Sequence, residues 1–309
     1  MKASLPAWLH VHPETREALE GRRPVVALES AVITHGLPRP INLELARRME
    51  AEVRKVGGAP ATTAVLGGMI HLGLSSEELE MLALDLSAVK VSRRELGPVR
   101  TGGQSGGTTV SAAIFIAAAA GIRILATGGI GGVHRGESGD VSADLPELAR
   151  TPVGVVCSGA KAILDLPRTL EWLETGAVLV VGYQTREFPA FYAQGSGLTV
   201  GTSVETPAEA ARLLRSHWEL GSTSAALICV PCPESDSLPR DDVEQAIEQA
   251  EREAEDKGVR GPALSPFLLT RLAELTSGRA LKANLALLRN NARVAAEIKN
   301  ITVTTYAVL

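Results

Sequence analysis

The sequence predicts an α/β fold, a single-domain α/β/α sandwich with a mostly parallel central sheet. The domain spans residues 1–309, and residues 1–23 form an N-terminal extension. Short apolar runs typical of buried strands alternate with segments of helical periodicity, as in sheets that helices cover on both faces. Thirty glycines in 309 residues indicate many tight turns between strands and helices. No repeat, low-complexity tract or Pro/Ser-rich linker divides the chain.

The apolar runs predict buried strands at residues 24–28, 63–66, 88–91, 122–127, 153–157, 178–181 and 225–230. Helical periodicity predicts helices at residues 41–57, 75–84, 108–121, 160–175, 206–220, 241–257, 265–277 and 282–299. Thr206 and Pro207 predict a helix start, because a capping hydroxyl precedes a proline at the first helical position. Gly221 predicts where that helix ends.

Composition excludes several classes of function. The formal net charge is −4 and the basic residues are scattered, so we expect no nucleic-acid partner. If the protein binds a nucleotide, we expect it to bind it as a small molecule. The longest apolar run, residues 110–122, is shorter than the ~20 residues of a membrane span, and the N-terminus lacks a signal-peptide core. Three cysteines do not suggest a disulfide framework. We expect a cytoplasmic protein that does not bind membranes.

Lys161 is the clearest candidate for covalent chemistry. It follows a predicted buried strand and lies within the first turn of the predicted helix at 160–175. The positive end of a helix dipole and apolar neighbours both disfavour an ammonium, so they lower the pKa of a lysine and favour a nucleophilic amine. A lysine that extends to the surface, or that binds phosphate as a point charge, is the alternative.

Glu29 ends an apolar strand at the edge of the sheet where α/β proteins bind ligands. Burial there would raise the pKa of the carboxyl and favour a proton donor. A capped or salt-bridged loop carboxylate is an equally good interpretation of its position.

Two further segments suggest anion binding. Lys90 lies within a predicted buried strand, so it needs an anionic partner, either a phosphate or a structural aspartate. The glycine-rich segment 101–109 opens a predicted helix, and its free N–H groups suit an anion. It lacks the lysine of a P-loop, which argues against a nucleoside triphosphate.

Asp140 and Asp144 lie four residues apart, close after His134. Carboxylate ligands favour Mg²⁺ or Mn²⁺ over Zn²⁺. A turn capped by the aspartate side chains is the competing interpretation, and the spacing alone favours it.

Taken together, these segments resemble the pseudouridine-5′-phosphate glycosidase family. The resemblance is carried by ALES (27–30), THGLP (34–38), PAT (60–62), KVSRR (90–94), GTTV (107–110), TGGIGGVHRG (127–136), DVSADL (140–145), ELART (147–151), CSGAK (157–161), GYQT (182–185), FPAFY (188–192), KANLALL (282–288) and NNA (290–292). The motifs are long, and they occur in the family's order from about residue 24 to about residue 299. The stretch between His134 and Asp140 is shorter than the family's usual spacing.

The resemblance implies reversible cleavage of the C–C glycosidic bond of pseudouridine 5′-phosphate to uracil and ribose 5-phosphate. It implies that Lys161 bonds covalently to C1′ of the sugar and that Glu29 donates protons. Asp140 would bind one Mn²⁺ per subunit, and the chain would form a homotrimer. The implied substrate-binding residues are Lys90, Thr109, Val110, His134, Ser142, Ala143, Asp144 and Asn284.

Two alternatives remain open at this point. One is a related lyase or glycosidase for another phosphosugar, similar to the pigment-biosynthesis proteins that resemble this family. The other is a phosphosugar-binding protein without catalytic activity. Glu29, Asp140 and Lys161 together argue against the second, because binding alone needs neither a nucleophilic lysine nor a proton donor.

Overall fold

A computed structural model describes residues 5–136 and 139–306. Its strands are β1 (Leu9–Val11), β2 (Val25–Leu28), β3 (Ala59–Leu66), β4 (Met69–Leu72), β5 (Val89–Val91), β6 (Gly106–Thr108), β7 (Ile124–Ala126), β8 (Val133–His134), β9 (Gly154–Cys157), β10 (Leu164–Asp165), β11 (Leu179–Tyr183), β12 (Thr202–Val204) and β13 (Ala226–Cys229). Its α-helices are α1 (Pro13–Glu20), α2 (Ile41–Lys55), α3 (Ser76–Leu84), α4 (Leu96–Thr101), α5 (Val110–Ala119), α6 (Asp144–Leu148), α7 (Leu166–Thr175), α8 (Pro207–Glu219), α9 (Arg240–Asp256), α10 (Leu264–Leu275) and α11 (Arg279–Tyr306).

Within the described residues, eleven strands form one sheet in the order β1-β4-β3-β2-β7-β9-β13-β11-β12, with β6 pairing with both β3 and β5. Most neighbouring strands run parallel, whereas β3 runs antiparallel to β4 and β6. The strands β8 and β10 form a separate antiparallel pair. This confirms the predicted α/β/α sandwich with a mostly parallel sheet.

The central strands are buried from end to end, because they carry apolar side chains on both faces. Every residue of β2, β7, β9 and β13 is buried. The long helix α11 packs against β2, β7 and β9, and also contacts α2 and α8. In the part of the chain that the structure describes, no helix combines the length and the apolar character needed to cross a bilayer.

Most predicted elements are confirmed, with some shifts at their ends. The hydroxyl of Thr206 accepts a hydrogen bond from the N–H of Glu209 at 3.2 Å, so the predicted capped start of α8 is correct. The strand predicted at 63–66 is longer and begins at Ala59. The structure also contains elements that were not predicted, among them β1 and α1 within the N-terminal extension.

The helix predicted at 160–175 is wrong at its start. Residues 160–163 form a loop, and α7 begins at Leu166, where Asp165 caps it by accepting a hydrogen bond from the N–H of Arg168 at 3.0 Å. The small apolar residues after Cys157 continue a helical pattern, but a capping aspartate followed by Pro167 is the stronger start signal.

Candidate active site

The candidate residues gather at one edge of the central sheet. The strands β2, β7 and β9 are parallel neighbours, so their carboxyl ends meet at that edge. Glu29 directly follows β2, Thr127 follows β7, and Lys161 lies in the loop after β9. The strand pairing therefore brings together side chains from distant parts of the sequence.

Glu29 is a buried carboxyl group, with 7% of its surface exposed. Its Oε2 accepts a hydrogen bond from the N–H of Val32 at 3.0 Å, and its Oε1 lies 3.5 Å from the hydroxyl of Thr127. Burial raises the pKa of Glu29, although the N–H of Val32 and the charge of Lys161 oppose the shift. The position and the direction of the shift are those expected of a proton donor.

Lys161 lies in the loop between β9 and β10 and is half-buried. Its N–H donates to the carbonyl of Ile130 at 3.1 Å, and its carbonyl accepts from the N–H of Leu164 at 3.0 Å. The prediction that Lys161 occupies a first helical turn is wrong, so the helix-dipole argument does not apply to it. Its charge acts to lower the pKa of Lys90 and of His134 and opposes the rise at Glu29, so the side chain of Lys161 lies within electrostatic range of all three groups.

Lys90 lies in β5, and its side chain is exposed rather than buried. The prediction that a buried strand encloses this lysine is therefore wrong, because β5 is a short strand that, among the described strands, pairs with β6 alone. Desolvation by the surrounding protein, followed by repulsion from Lys161, lowers the pKa of Lys90, whereas Asp144, Glu29 and Asp140 oppose the shift. The Lys161 charge thus acts on Lys90 across the site, although the two lysines come from different parts of the fold, β5 and the loop after β9.

Asp144 is buried and anchors two separate segments. Its Oδ1 accepts from the N–H of Ser111 in α5, and its Oδ2 accepts from the N–H of Gly131, both at 2.8 Å. The N–H of Asp144 donates to the hydroxyl of Ser142 at 3.2 Å. Asp144 and Ser142 therefore hold the loop after β7 against the start of α5, while Ala143 between them is exposed.

The glycine-rich segment differs from its prediction. Residues 106–108 form β6, and the N–H groups of Thr108 and Thr109 donate to the hydroxyl of Ser30 at 3.0 Å and the carbonyl of Val91 at 2.8 Å. These groups are not free for an anion. A Cβ at Gly107 would lie 2.6 Å from the carbonyl oxygen of Ser30, so only glycine allows this close approach.

Two of the predicted substrate-binding residues, Thr109 and Val110, lie at the start of helix α5. Thr109 precedes the helix, and its hydroxyl hydrogen-bonds with that of Ser111 at 2.9 Å. The side chain of Val110 is buried in the core with 5% exposure, so a ligand could meet this residue only through its backbone.

Asp140 and His134 lie side by side after β7. The N–H of His134 donates to the carbonyl of Asp140 at 2.9 Å, and the His134 Nε2 lies 3.9 Å from the Asp140 Oδ2. Burial lowers the pKa of His134 against the opposing charge of Asp140. The two residues are therefore adjacent.

The donor set at Asp140 suits a hard divalent cation. The Asp140 side chain is 58% exposed, whereas both oxygens of Asp144 already accept hydrogen bonds from backbone N–H groups. One accessible carboxylate leaves room for several waters, which is how Mg²⁺ and similar cations are commonly bound.

Asn284 and Asn291 lie on α11. Among the described residues, the Oδ1 of Asn284 is buried without a hydrogen-bond partner, so this amide can accept from a ligand. The fully buried Asn291 donates from Nδ2 to the carbonyl of Thr127 at 2.9 Å and to the hydroxyl of Ser158 at 3.1 Å.

Two residues with a place at the site were not predicted from the sequence. Asn291 connects the loops after β7 and β9 to α11 through hydrogen bonds. In the sequence, its place in the motif at 290–292 was the only indication of a role. His35 lies near Lys90, since burial, followed by the charge of Lys90, lowers the pKa of His35. The motif at 34–38 contained it without indicating a role.

The sequence profile of the indigoidine synthase A-like protein family matches residues 14–300. A relative named pseudouridine-5′-phosphate glycosidase from Caldanaerobacter subterraneus subsp. tengcongensis is 53% identical over 293 residues, covering 94% of this chain and 95% of the relative. A relative of the same name from Solibacter usitatus is 53% identical, covering 94% of this chain and 98% of the relative.

Two solved structures are similar over most of their length. The structure of prealnumycin C-glycosynthase in complex with ribulose 5-phosphate has a TM-score of 0.90 and 38% identity, covering 98% of this chain and 100% of that one. An indigoidine synthase A-like protein from Thermotoga maritima has a TM-score of 0.83 and 41% identity, covering 89% and 92% of the two chains.

Proposed function

We propose that this chain, which belongs to the indigoidine synthase A-like family, cleaves the C–C glycosidic bond of pseudouridine 5′-phosphate to uracil and ribose 5-phosphate. The observation that carries the proposal is the juxtaposition of the buried proton donor Glu29 with Lys161 at the carboxyl edge of the sheet. The names of the relatives support this substrate, and several of them are about half identical to this chain over nearly its whole length.

The chemistry of the C–C glycosidic bond explains why both Glu29 and Lys161 are needed. A carbon–carbon bond joins C1′ of the ribose to C5 of uracil, and a carbon leaving group departs poorly. In the proposed first step, Glu29 gives its proton to the ring oxygen, the bond between that oxygen and C1′ breaks, and the neutral amine of Lys161 bonds to C1′. The lysine nitrogen then returns a proton to the Glu29 carboxylate. The buried position of Glu29 favours a carboxyl that holds this proton until it is used.

Cleavage follows from the adduct. Glu29 protonates C5 of uracil, the electron pair of the C1′–C5 bond moves to C5, and the nitrogen lone pair forms an iminium with C1′. Uracil leaves. Water then adds to the iminium and the C1′–N bond breaks, which releases ribose 5-phosphate as the aldehyde and returns the proton to Glu29. All of these steps are reversible, so the same residues can also form the bond.

The remaining residues of the site would bind and orient the substrate. Lys90 is exposed and would bind the phosphate as a point charge. The free Oδ1 of Asn284 would accept a hydrogen bond from an N–H group such as those of uracil. Asp144 acts as a positioning residue, because its oxygens fix Ser111 and Gly131.

We also propose that Asp140 would hold one Mn²⁺ per subunit, with His134 beside it. A hard cation with waters orients polar groups and lowers the pKa of bound water. The family resemblance further suggests a homotrimer, which sedimentation of the purified protein would test.

A product assay tests the proposed reaction. Purified protein with pseudouridine 5′-phosphate and Mn²⁺ should release uracil and ribose 5-phosphate in equal amounts, and the reverse mixture should form the nucleotide. A second candidate is formation of a C-glycoside on another acceptor, which the likeness to prealnumycin C-glycosynthase favours. Failure with uracil, together with turnover of another aromatic acceptor and a pentose 5-phosphate, would support the second candidate.

A further inference from the structure

A cluster of metal-ligand side chains lies at the edge of the sheet, on elements that the proposed reaction does not use. His10 in the edge strand β1 and His71 in β4 are direct partners in a parallel pair. Their ring centroids are 4.7 Å apart, so both imidazoles lie on the same face. Glu78 reaches this face from the first turn of α3.

Glu78 is held in place by a capping box. Its Oε2 accepts from the N–H of Ser75 at 2.7 Å, while its Oε1 lies 3.5 Å from the Nδ1 of His71. One carboxylate oxygen is thus used by the helix cap, and the other is directed at the imidazole.

His71 is the residue that points to a ligand. It is only 5% exposed, and within the described part of the chain its Nδ1 has no hydrogen-bond partner. A buried polar atom without a partner is costly and needs an explanation such as an ion.

We propose that His10, His71 and Glu78 bind a divalent transition-metal ion, with Zn²⁺ as the preferred ion. One potential ligand atom from each residue lies within 4.8 Å of the others. Tetrahedral zinc with bonds of about 2.0–2.1 Å needs ligand atoms roughly 3.4 Å apart. Rotation of the exposed His10 side chain can shorten its distance to the other two ligand atoms from the 4.8 Å limit toward that separation.

The ligand types separate this site from the one proposed at Asp140. Two imidazoles and one carboxylate favour Zn²⁺, Co²⁺ or Ni²⁺, whereas carboxylate and water favour Mn²⁺ or Mg²⁺. An ion held by β1, β4 and α3 would also fasten the edge strand to the sheet and to the start of α3, so its binding should raise the temperature of unfolding.

Binding can be measured on the metal-free full chain carrying Asp140→Ala, so that the proposed Mn²⁺ site does not contribute. Calorimetric titration with Zn²⁺ should show one ion per chain with a rise in the unfolding temperature, and Co²⁺ should give a visible tetrahedral spectrum. Glu78→Gln can keep a carbonyl oxygen for the cap while removing the second ligand oxygen. It should weaken Zn²⁺ binding at least about tenfold, since even outer partners of metal ligands contribute 10–100-fold.

His10→Ala tests the same site at an exposed residue and should weaken binding as much. The matched control is Glu80→Gln in the same helix, whose carboxylate pairs with Arg47 and is 51% exposed. It should bind Zn²⁺ like the parent. Absence of Zn²⁺ binding in the parent, or equal affinity in the parent, Glu78→Gln and His10→Ala, would overturn the proposal.

Discussion

Replacing Asn291 by alanine should weaken both the fold and the reaction. The Asn291 amide donates to the carbonyl of Thr127 at 2.9 Å and to the hydroxyl of Ser158 at 3.1 Å, and it is fully buried. Each hydrogen bond contributes about 1 kcal/mol, and a buried group left without a partner costs roughly 1–3 kcal/mol. We therefore expect the free energy of unfolding to fall by about 2–4 kcal/mol.

That loss corresponds to a measurable change in the unfolding temperature. At roughly 2.1 cal/mol/K per residue, 309 residues give an unfolding entropy of about 0.65 kcal/mol/K, so the midpoint should fall by about 3–6 °C. Turnover should fall by roughly 10- to 100-fold, because the amide positions the loops that carry Thr127 and Lys161, and a displacement of about 1 Å can cost that much.

The neighbouring Asn290→Ala is the matched control, since the side chain of Asn290 accepts a hydrogen bond from the exposed Arg293 in the same helix, α11. Thermal unfolding measures the loss of stability in both variants, and steady-state kinetics measure their loss of turnover. An unfolding temperature of Asn291→Ala within about 1 °C of the Asn290→Ala value would refute the anchoring role of this amide.

Three further predictions concern the charged groups of the site. Glu29→Gln should abolish turnover. Because burial raises the pKa of Glu29, the unfolded chain releases this proton at lower pH, and the parent loses stability as the pH rises toward the folded-state pKa. The stability of Glu29→Gln relative to the parent should therefore grow with pH in denaturant titrations, and a pH-independent difference would contradict this. Lys90→Ala should raise the KM for the nucleotide at least about tenfold without affecting unphosphorylated pseudouridine, and equal effects on both would show that Lys90 does not bind phosphate. Asp140→Ala should lose the activity that Mn²⁺ restores after chelation, while in chelator it should unfold at a temperature close to that of the metal-free parent, because the side chain is 58% exposed, and full activity of the parent in chelator would disprove the metal requirement.

The sequence predicted the order of the central elements because its local signals agree with the fold. Continuous apolar runs give the buried parallel strands, and Thr206 with Pro207 gives the start of α8. Glu29 could be placed at the ligand edge because a polar residue directly after a buried parallel strand lies there.

Features that depend on pairing between distant segments could not be predicted. The strand β6 forms from a glycine-rich segment only because β3 and β5 supply partners for it. Lys161 was assigned to a helix because small apolar residues fit a helical period as well as a loop, and the true start at Leu166 depends on the Asp165 cap. The anchoring role of Asn291 requires the loops after β7 and β9 to meet α11, which no local pattern encodes.

The covalent role of Lys161 is the central claim, and trapping the adduct tests it most directly. Incubation with ribose 5-phosphate and then borohydride should add one reduced pentose phosphate to the peptide that contains Lys161, as mass spectrometry would show. Lys161→Ala should lose the adduct and turnover, and so should Lys161→Arg, because a guanidinium stays protonated. An adduct mapped to Lys90, or retained turnover in Lys161→Ala, would contradict the account.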